Sequence, residues 1–395
     1  MIIKSVLSRV IKKGNLTWIQ HDGNIHHYGD GSGELIKIRT TKDFSEIKLL
    51  LNPSLQFGES YMNGSLIMEE GRIHDLLKLL FSNSKVDVDH WIMDVSRAVR
   101  FILNKFNVGN YLSKSKKNVA HHYDLSDQLY DLFLDKDRQY SCAYFNSPND
   151  TLDQAQTNKK ELIAKKLLLE KGQNVLDIGC GWGGMASFLS KRSEVNVNGI
   201  TLSEEQIQYA NKRKQTESLH NVEYKLQDYR KVNETYDRIV SVGMFEHVGT
   251  KHYQDFFNKV YDLLNDTGVA LIHTIGRLSE PTTNDPWIEK YIFPGGYIPA
   301  LSETVSKIEK SGLSMTDIQI LKFHYAETLK RWRYNFYDNI DKVKEIYDEK
   351  FCRMWDFYLS SSQASFEEST LVVFQMQLSK NKKTVPDKRD YMLME

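Results

Sequence analysis

The segment NVLDIGCGWGG, residues 174–184, is a short apolar run that passes directly into a glycine-rich turn. Gly179, Gly181 and Gly183 stand at alternate positions, and glycine lets a backbone adopt positive φ angles and approach a ligand closely. A helical pattern, GMASFLSKR, follows at once. A strand, a tight turn and a helix in this order predict one unit of an open α/β sheet, with a ligand bound at the turn.

The sequence on either side of this segment continues the alternation of strand and helix. A helix is predicted from about residue 151 to 170, with Thr151 as its N-cap. Apolar strand patterns then alternate with helical patterns as far as TLVVFQMQL at 370–378. This alternation predicts an α/β fold of the Rossmann-like class, with a doubly wound and mostly parallel sheet.

The first part of the chain has a different pattern. LTWIQ, NIHHYG and ELIKIR are short strand patterns within residues 14–40, whereas 42–107 are predicted to be helical and 110–118 are polar and basic. A chain of 395 residues exceeds what one core usually holds. We therefore predict a smaller, mainly helical α+β N-terminal domain at 1–109, a linker at 110–120 and a catalytic domain at 121–395.

The composition argues against several classes of protein. The 52 basic and 52 acidic side chains give no net charge, so we expect no nucleic-acid partner. The three cysteines are odd in number and far apart, which favours a reducing, cytoplasmic location. No His or Cys spacing matches a zinc site, so we expect no metal. No apolar run reaches the ~18–20 residues of a membrane span.

The first residues form a basic amphipathic pattern. Apolar residues recur at helical spacing within residues 2–11, and most of the basic residues of this stretch fall between them. Such a helix is suited to an anionic membrane surface. The alternative is an ordinary terminal helix that packs on its own domain.

An acidic residue bears on the ligand of the glycine-rich turn. Asp177 lies two residues before Gly179, where a carboxylate repels a pyrophosphate but suits an ammonium group, and the G-x-G-x-G spacing differs from that of dinucleotide sites. The arrangement resembles the class I S-adenosylmethionine-dependent methyltransferases. Thr201 and Gln206 are the nearest candidates for the ribose, and Asp228 is a candidate for the adenine amino group. Each of these three also fits a purely structural role.

Four further stretches carry chemically useful side chains: HHYDLSDQLYDLFLD (121–135), YSCAYF (140–145), MFEHVG (244–249) and LIHTIG (271–276). Ligands of open α/β sheets bind beyond the carboxyl ends of the strands, so Glu246 and His273 should face one cleft, with Cys142 on the same side. Taken singly, Cys142 also fits core filling, Glu246 a helix N-terminus and His273 a packed or capping role.

Together with TLDQAQ, GITLSEEQ and YIFPGG, these stretches resemble the cyclopropane fatty acyl phospholipid synthases and the related mycolic acid cyclopropane synthases and methyltransferases. The resemblance runs from about residue 120 to 378 and extends more weakly into LQFGESYMNGSL (55–66). It implies that S-adenosylmethionine donates a methylene group to the cis double bond of an unsaturated phospholipid acyl chain. The residues expected to bind this cofactor are Tyr140, Ser141, Asp177, Gly179, Gly181, Thr201, Gln206, Asp228 and Tyr229.

The resemblance also implies a bound bicarbonate ion as the base that completes the cyclopropane ring. Its expected catalytic ligands are Cys142, Glu246, His273, Ile275 through its main chain, and Tyr325. The methylated alkene is a carbocation until a proton leaves, and aromatic faces stabilise such a cation without attacking it. The expected aromatic wall consists of Tyr123, Tyr144, Trp287, Tyr291 and Phe293.

One departure from the family pattern falls after HYDL, where Ser126 and Asp127 replace the common Gly-Asn, and no role is assigned to them. A phospholipid bilayer is the expected partner, contacted at its inner face through residues 1–13 and the lysines of 114–117. The oligomeric state stays open, a homodimer included. Two alternatives also remain: methyl transfer without ring closure or onto a small nucleophile, and a lipid-binding protein without catalysis.

Overall fold

The computed structural model describes residues 2–83 and 125–392. Its helices are α1 (Ile2–Val10), α2 (Glu46–Leu51), α3 (Pro53–Met62), α4 (Ile73–Asn83), α5 (Asp127–Phe133), α6 (Leu152–Leu167), α7 (Gly184–Ser193), α8 (Glu204–Thr216), α9 (Tyr253–Leu263), α10 (Pro286–Tyr291), α11 (Leu301–Ser311), α12 (His324–Asp338), α13 (Ile340–Ile346) and α14 (Glu349–Glu368). Its strands are β1 (Asn15–Ile19), β2 (Ile25–Tyr28), β3 (Leu35–Thr40), β4 (Leu66–Glu70), β5 (Asn174–Ile178), β6 (Asn196–Thr201), β7 (Val222–Leu226), β8 (Tyr236–Val242), β9 (Leu264–Arg277), β10 (Ser314–Leu321) and β11 (Leu371–Ser379).

The larger sheet has seven strands in the order β10-β11-β9-β8-β5-β6-β7. The five strands from β5 to β9 are parallel to one another. Strand β11 runs antiparallel to both of its neighbours, β9 and β10. Alternate residues of β5 enter different cores: Leu176 and Ile178 pack with α9, and Val175 packs with α6 and α7. Helices therefore cover both faces, and the predicted doubly wound α/β fold is confirmed.

Helix α6 begins as its sequence predicts. The Thr151 side chain accepts from the backbone N–H of Gln154 at 3.2 Å, and the Gln154 side chain accepts from the N–H of Thr151 at 2.9 Å. This reciprocal capping box satisfies two backbone donors that a helix start otherwise leaves free. The helix ends at Leu167, a few residues before the predicted end, where Leu168 adopts a left-handed φ of 52°.

The N-terminal part contains a second sheet of four strands in the order β2-β1-β3-β4. The three predicted strands are present, but the prediction of helix throughout 42–107 is wrong at β4. This strand is only five residues long and pairs with β3 at the edge of the sheet, and of its residues only Leu66 is buried. A single buried residue gives neither a helical nor an alternating pattern, so the sequence did not reveal it.

Helix α1 packs on its own domain. Ile3 and, just after the helix, Ile11 are buried in the N-terminal core, and Leu7 and Val10 pack against it. The apolar side of this helix is thus engaged within the chain, which agrees with the second of the two interpretations of its pattern.

The N-terminal part shares one hydrophobic core with α5 and with α12, α13 and α14, which lie between β10 and β11 in the chain. The indole Nε1 of Trp287 contacts Met62 Sδ at 3.1 Å, and the Tyr61 hydroxyl donates to Asp356 at 2.6 Å. The predicted domain boundaries at 109 and 120 lie outside the described residues, as do the predicted helical segment at 91–106 and the lysines of 114–117. They stay predictions.

Two further findings concern the described residues. Cys142, Cys180 and Cys352 are buried and unpaired. Among the helices of 2–83 and 125–392, none has both the length and the apolar character needed to cross a bilayer.

Candidate active site

A cavity of about 1220 Å³ opens beyond the carboxyl ends of β5 and β6. The glycine-rich turn forms its floor, and the segment 291–294 and helix α14 contribute the opposite wall. Every residue predicted to bind the cofactor lines this cavity: Tyr140, Ser141, Asp177, Gly179, Gly181, Thr201, Gln206, Asp228 and Tyr229. The topology brings them together because parallel strands end at one edge of the sheet.

The glycine-rich turn needs glycine for two separate reasons. Gly179 and Gly181 adopt φ angles of 84° and 56°, a region that residues with a Cβ rarely occupy. At Gly184 the reason is space, since a Cβ there would lie 2.3 Å from the Gln139 side chain. At Gly179 and Gly181 the turn therefore presents backbone to the cavity, while Cys180 and Trp182 line the cavity as well.

Asp177 is a buried carboxyl group without a hydrogen bond at Oδ2. Burial raises its pKa to about 7, and the charge of Lys159 opposes this shift. An unpaired buried carboxylate is costly, so the site is completed by a ligand that brings a cation. The ammonium group of an amino-acid moiety meets that need.

Lys159 holds two residues of the cavity wall, although it was not among the predicted site residues. Its side chain is fully buried on α6, and Nζ donates to Gln139 Oε1 at 2.7 Å and to Ser141 Oγ at 2.9 Å. One turn earlier, Gln156 donates to the carbonyl oxygens of the same two residues at 3.1 and 3.0 Å. The i, i+3 spacing of Gln156 and Lys159 was the available signal, but lysine is ordinarily solvent-exposed.

The predicted ribose and adenine residues are already paired with protein groups. Thr201 Oγ1 donates to Gln206 Oε1 at 2.8 Å, which fixes both side chains at the cavity edge. Arg230 donates to both oxygens of Asp228, at 2.8 and 2.6 Å. Burial opposes ionisation of Asp228, but these hydrogen bonds outweigh it and lower its pKa. Asp228 thus presents an ionised carboxylate to the cavity.

Glu246 lies on a short 3₁₀ turn after β8, directly beside the end of β9. Its Oε1 accepts from the backbone N–H of Ile275 at 2.6 Å, and its buried Oε2 has no partner. Burial raises the pKa of Glu246 to about 7. The Ile275 donor, expected to contact an anion, is in fact directed at Glu246, so Ile275 orients the carboxyl group.

His273 faces the α6 side of the sheet. Its ring is buried, and its Nδ1 lies 3.1 Å from the Nε2 of Gln375 on the adjacent strand β11. Burial and the positive charges of Lys159 and Lys166 lower its pKa well below the usual value. His273 is therefore a neutral imidazole near pH 7.

Cys142 and Tyr325 meet where helix α12 supports the loop 139–143. Thr328 accepts from the N–H of Ala143 at 3.0 Å, and Tyr325 lies one turn earlier on the same helix. Burial raises the pKa of the Tyr325 hydroxyl, with smaller contributions from nearby groups that include Cys142 and Glu246. Burial also raises the pKa of the Cys142 thiol far above neutrality. A nucleophilic thiolate is thereby disfavoured, since the thiolate is the reactive form.

The five residues predicted to bind an anion are largely buried and do not line the large cavity. Cys142 directly follows Tyr140 and Ser141, and these two residues do line the cavity. Their polar atoms are a carboxyl group, a neutral imidazole, a phenol and a thiol. This set, which we call the inner pocket, consists of Cys142, Glu246, His273, Ile275 and Tyr325.

The predicted aromatic wall is only partly in place. Tyr291 and Phe293 line the cavity, but Tyr144 stacks on the His324 ring with centroids 4.6 Å apart. Trp287 is not a wall residue: it is fully buried against Met62 and Phe357, since it seals the junction with the N-terminal part. Tyr123 lies outside the described residues. The wall residues that the sequence analysis missed are Tyr130, Trp182, Tyr209 and Trp355.

The departure at Ser126 and Asp127 has a structural role. Asp127 accepts from Trp182 Nε1 at 3.2 Å and pairs with Arg138 at 3.2 Å. The N–H of Ser126 donates to the Tyr347 hydroxyl at 2.8 Å. Asp127 thus ties helix α5 to the glycine-rich turn.

The strand order of the large sheet, its single antiparallel strand β11 next to one edge and the acid beside the glycine-rich turn define a class I S-adenosylmethionine-dependent methyltransferase. The enzyme coclaurine N-methyltransferase has the same fold, with a TM-score of 0.67 over 82% of this chain and 99% of that one, at 21% identity. At that identity the similarity concerns the fold alone.

The family model described as mycolic acid cyclopropane synthetase matches residues 111–376, and the chain belongs to this family. A domain of unknown function matches residues 3–89. Cyclopropane-fatty-acyl-phospholipid synthase of Escherichia coli K12 is 37% identical over 338 residues, 84% of this chain and 85% of that protein. The cyclopropane synthase MmaA2 of Mycobacterium tuberculosis superposes with a TM-score of 0.63 at 34% identity, covering 67% of this chain and 98% of that one.

A structure of mycolic acid cyclopropane synthase CmaA1 in complex with SAH and CTAB has a TM-score of 0.63 and 33% identity, over 67% of this chain. The chain is accordingly a methyltransferase with a site suited to S-adenosylmethionine. Within 2–83 and 125–392, no group of three or more His, Cys, Asp or Glu side chains is arranged to hold a metal ion.

Proposed function

We propose that this enzyme adds a methylene group to the cis double bond of unsaturated phospholipid acyl chains and closes a cyclopropane ring. S-adenosylmethionine, when bound, supplies the methyl group as an electrophilic sulfonium. Family membership and the activity for which the Escherichia coli relative is named support the lipid substrate. The observation that carries the ring-closing step is Glu246, whose buried Oε2 has no partner among the described residues.

Ring closure requires a base that removes a proton from the newly added methyl group, and we propose a bound bicarbonate ion in that role. The inner pocket fits this ion because its groups complement both ends of it. Glu246 Oε2 is an acceptor for the bicarbonate hydroxyl, whereas the Tyr325 hydroxyl and the His273 ring are neutral donors for its oxygens. Lys159 donates to Ser141, the residue before Cys142, and its positive charge favours an anion nearby.

The protein's own contribution is to position the reactants and keep water away. The aromatic side chains of the cavity, such as Tyr140 and Phe293, present faces that stabilise a carbocation on the acyl chain. The Tyr140 hydroxyl is 2.8 Å from that of Tyr358, which keeps both polar atoms paired with each other. A wall of this kind delays capture of the cation by water until the proton has left.

The proposed partner is a phospholipid bilayer at the inner face of the cell membrane. A surface that suits it lies on α2, where Ile47 and Leu51 are 71% and 76% exposed. Helix α3 follows directly and reaches the cavity wall, because Glu59 accepts from the Tyr291 hydroxyl at 2.9 Å. A bilayer against α2 would therefore lie two helices from the cavity.

Purified enzyme should be incubated with S-adenosylmethionine and vesicles of a cis-unsaturated phospholipid, and the released fatty acids analysed by mass spectrometry. We expect the saturated-ring product. A methyl-branched alkene would instead indicate transfer without ring closure, and binding without any product would indicate a non-catalytic lipid-binding protein. Either result contradicts the proposal.

The role of the inner pocket has its own test. Glu246→Gln should reduce ring formation by about 10²-fold or more while cofactor affinity, measured by calorimetry, changes less than about threefold. Depletion of carbon dioxide should slow the wild-type enzyme, and added sodium bicarbonate should restore it. Equal loss of turnover and cofactor binding in Glu246→Gln would show that Glu246 belongs to the cofactor site instead.

A further inference from the structure

A row of buried polar side chains crosses the antiparallel edge of the large sheet. His273 on β9, Gln375 on β11 and Gln319 on β10 are direct cross-strand neighbours. Directly opposed residues place their side chains on the same face of a sheet. Lys166, the last residue but one of α6, covers this face. Its Nζ donates to Gln375 Oε1 at 2.7 Å and to Gln319 Oε1 at 2.5 Å. His273, Gln375 and Lys166 are almost completely buried.

The donors and acceptors of this row determine where each proton lies. A lysine ammonium only donates, so the group of Gln375 that faces Lys166 must be its carbonyl oxygen. The amide nitrogen of Gln375 then faces the ring of His273, 3.1 Å from Nδ1. An amide NH₂ only donates, so Nδ1 must be the acceptor. The proton of a neutral imidazole that accepts at Nδ1 is carried by Nε2.

We propose that Lys166 and Gln375 are positioning residues that hold His273 in the tautomer with its proton on Nε2, so that the ring donates into the inner pocket. Nδ1 is taken by Gln375, and no residue of 2–83 or 125–392 is a hydrogen-bond partner of Nε2. Ile275, two residues along β9, lies on the same face, and its N–H reaches Glu246. A donor at Nε2 suits an anion and repels a cation.

The surroundings of the ring keep it neutral, which the tautomer argument requires. Burial, Lys159 and Lys166 all disfavour an imidazolium. The two glutamines cannot change charge, but burial lowers the pKa of Lys166 to about 8, so the lysine is an ammonium and holds this orientation below that pH. That the Nε2 proton serves ring closure rests on the proposed function, whereas the tautomer itself is a property of the free protein.

Nuclear magnetic resonance of ¹⁵N-histidine-labelled protein measures the tautomer directly, with His273→Gln to assign the signal. We expect Nδ1 of His273 to resonate as an unprotonated nitrogen and Nε2 as a protonated one. Gln375→Glu replaces the amide donor by a carboxylate acceptor of the same shape, and the proton should move to Nδ1 or the ring should become an imidazolium. Gln377→Glu is the matched control. Gln377 lies on the same strand and the same face as Gln375, and it contacts the backbone of Lys166 but not His273. The tautomer of His273 should therefore not change in this variant.

Turnover supplies the second measurement. Gln375→Glu should lower kcat by about 10²- to 10⁴-fold, the range found when a catalytic histidine is held in the wrong tautomer, and leave cofactor affinity unchanged. Lys166→Met frees the Gln375 amide to rotate, so it should give a mixture of His273 tautomers. If Gln375→Glu does not fold, the tautomer measured in Lys166→Met tests the inference instead. A wild-type ring protonated at Nδ1, or a tautomer that neither variant alters, would overturn the inference. An absence of cyclopropane product from a wild-type enzyme with the expected tautomer would instead count against the proposed function alone.

Discussion

Two carboxyl groups, Asp177 and Glu246, are buried at the ends of neighbouring strands with one oxygen each left unpaired. Burial raises the pKa of both to about 7. Groups held in this way destabilise the ligand-free protein, because the charged form has neither water nor a partner. A ligand that brings a cation would satisfy Asp177, and one that brings a hydrogen-bond donor would satisfy Glu246.

Replacement of Asp177 by asparagine should therefore stabilise the protein while it removes cofactor binding. The raised pKa means that the wild-type fold becomes less stable as the pH rises from about 4 to about 7, where the buried group ionises, and stays so above that. Near pH 8 without cofactor, Asp177→Asn should unfold with a free energy about 1–3 kcal/mol higher than the wild type. Urea titrations at pH 8 and pH 4.5 measure this difference, which should shrink at the lower pH.

Cofactor affinity is the companion measurement for this variant. Asp177→Asn should bind S-adenosylmethionine about 30-fold more weakly or worse, since a buried charge pair has lost one member. A variant that is less stable than the wild type at pH 8, or that binds the cofactor normally, would show that Asp177 is a structural residue.

Cys142 lies in the inner pocket as a neutral thiol, since burial raises its pKa. Cys142→Ser keeps a small polar group at this position, so turnover should fall by only about tenfold, the cost of one imperfect hydrogen bond. Initial rates of ring formation measure it. Complete loss of activity in a folded Cys142→Ser enzyme would favour a covalent role for the thiol.

At the scale of secondary-structure elements, helix α6 organises much of the site. Gln156 and Lys159 hold the loop 139–141, and Lys166 reaches the row that orients His273. All three face the sheet and are buried. One helix thus sets the position of residues in both the cofactor cavity and the inner pocket.

Loss of the Lys159 charge should move the pH dependence of cofactor binding. The positive charge of Lys159 lowers the pKa of Asp177, so Lys159→Met should raise that pKa. Because the cofactor needs the ionised carboxylate, the midpoint of affinity against pH should move upward from about 7 by about one unit, measured by calorimetry between pH 6 and 9. Lys160→Met is the matched control, since Lys160 is the next buried lysine but pairs with Asp137. Equal shifts in both variants would mean that the effect comes from disturbance of the helix.

The elements that the sequence predicted well are those with a strong local signal. The strand and turn at 174–184 were predicted because apolar residues, an acid and alternating glycines stand together. The N-cap of α6 was predicted because Thr151 stands directly before a helical pattern, and its reciprocal pairing with Gln154 was seen only in the structure. Strand β4 was missed because only Leu66 among its residues is buried. Buried lysines were also missed, because their partners Gln139, Gln319 and Gln375 are brought to them only by the fold.

Trp287 shows the same limit in a different way. Its position beside Tyr291 and Phe293 suggested a wall residue, but its ring turns toward Met62 and Phe357. Trp287 and Tyr291 are four residues apart on α10 and their ring centroids lie 5.4 Å apart, so both are on one side of the helix, yet only Tyr291 lines the cavity. Sequence alone does not tell which of two residues on that side reaches the cavity and which one is covered by the N-terminal part.

At the scale of the whole molecule, polar pairs beside the shared hydrophobic core join the N-terminal part to helix α14. His74 on α4 lies 3.3 Å from Glu367 on α14, and Lys78 reaches the same carboxylate at 3.1 Å. Burial alone would lower the pKa of His74, but the neighbouring carboxylates of Asp75 and Glu367 outweigh burial and raise the pKa. His74 therefore stays charged to a higher pH than a free histidine.

The pair of His74 and Glu367 should make the free energy of unfolding depend on pH. A histidine whose pKa is raised on folding contributes its stability fully below about pH 6.5 and loses it as the pH rises through the folded value. Glu367→Gln should lower the free energy of unfolding by about 1–3 kcal/mol at pH 6 and by clearly less at pH 9. Lys78→Gln, whose side chain is half exposed, should change it by less than about 1 kcal/mol at either pH. A loss in Glu367→Gln that is the same at both pH values would remove His74 from the explanation.

The route of an acyl chain from a bilayer to the cavity depends on which surface meets the membrane. The apolar side of α1 packs on its own domain, whereas Ile47 and Leu51 on α2 are exposed. The segment 41–51 carries Lys42 and Lys48 against Asp43 and Glu46, so it has no net charge. Binding through α2 should thus rest on apolar insertion and respond weakly to salt, unlike binding through a basic helix.

A double variant, Ile47→Ser with Leu51→Ser, tests this surface. Full insertion of each side chain contributes up to about 1.5–3 kcal/mol to the binding free energy. If both side chains insert partly, their loss should lower the affinity for phospholipid vesicles by about tenfold or more. Vesicle sedimentation measures it, and turnover on vesicles should fall in parallel while turnover on detergent-dispersed lipid stays near that of the wild type. Ile25→Ser is the matched control, because Ile25 is 56% exposed but lies on the N-terminal sheet. Unchanged vesicle binding in the double variant, or binding by the wild type that disappears at high salt, would assign the membrane contact to basic residues elsewhere in the chain.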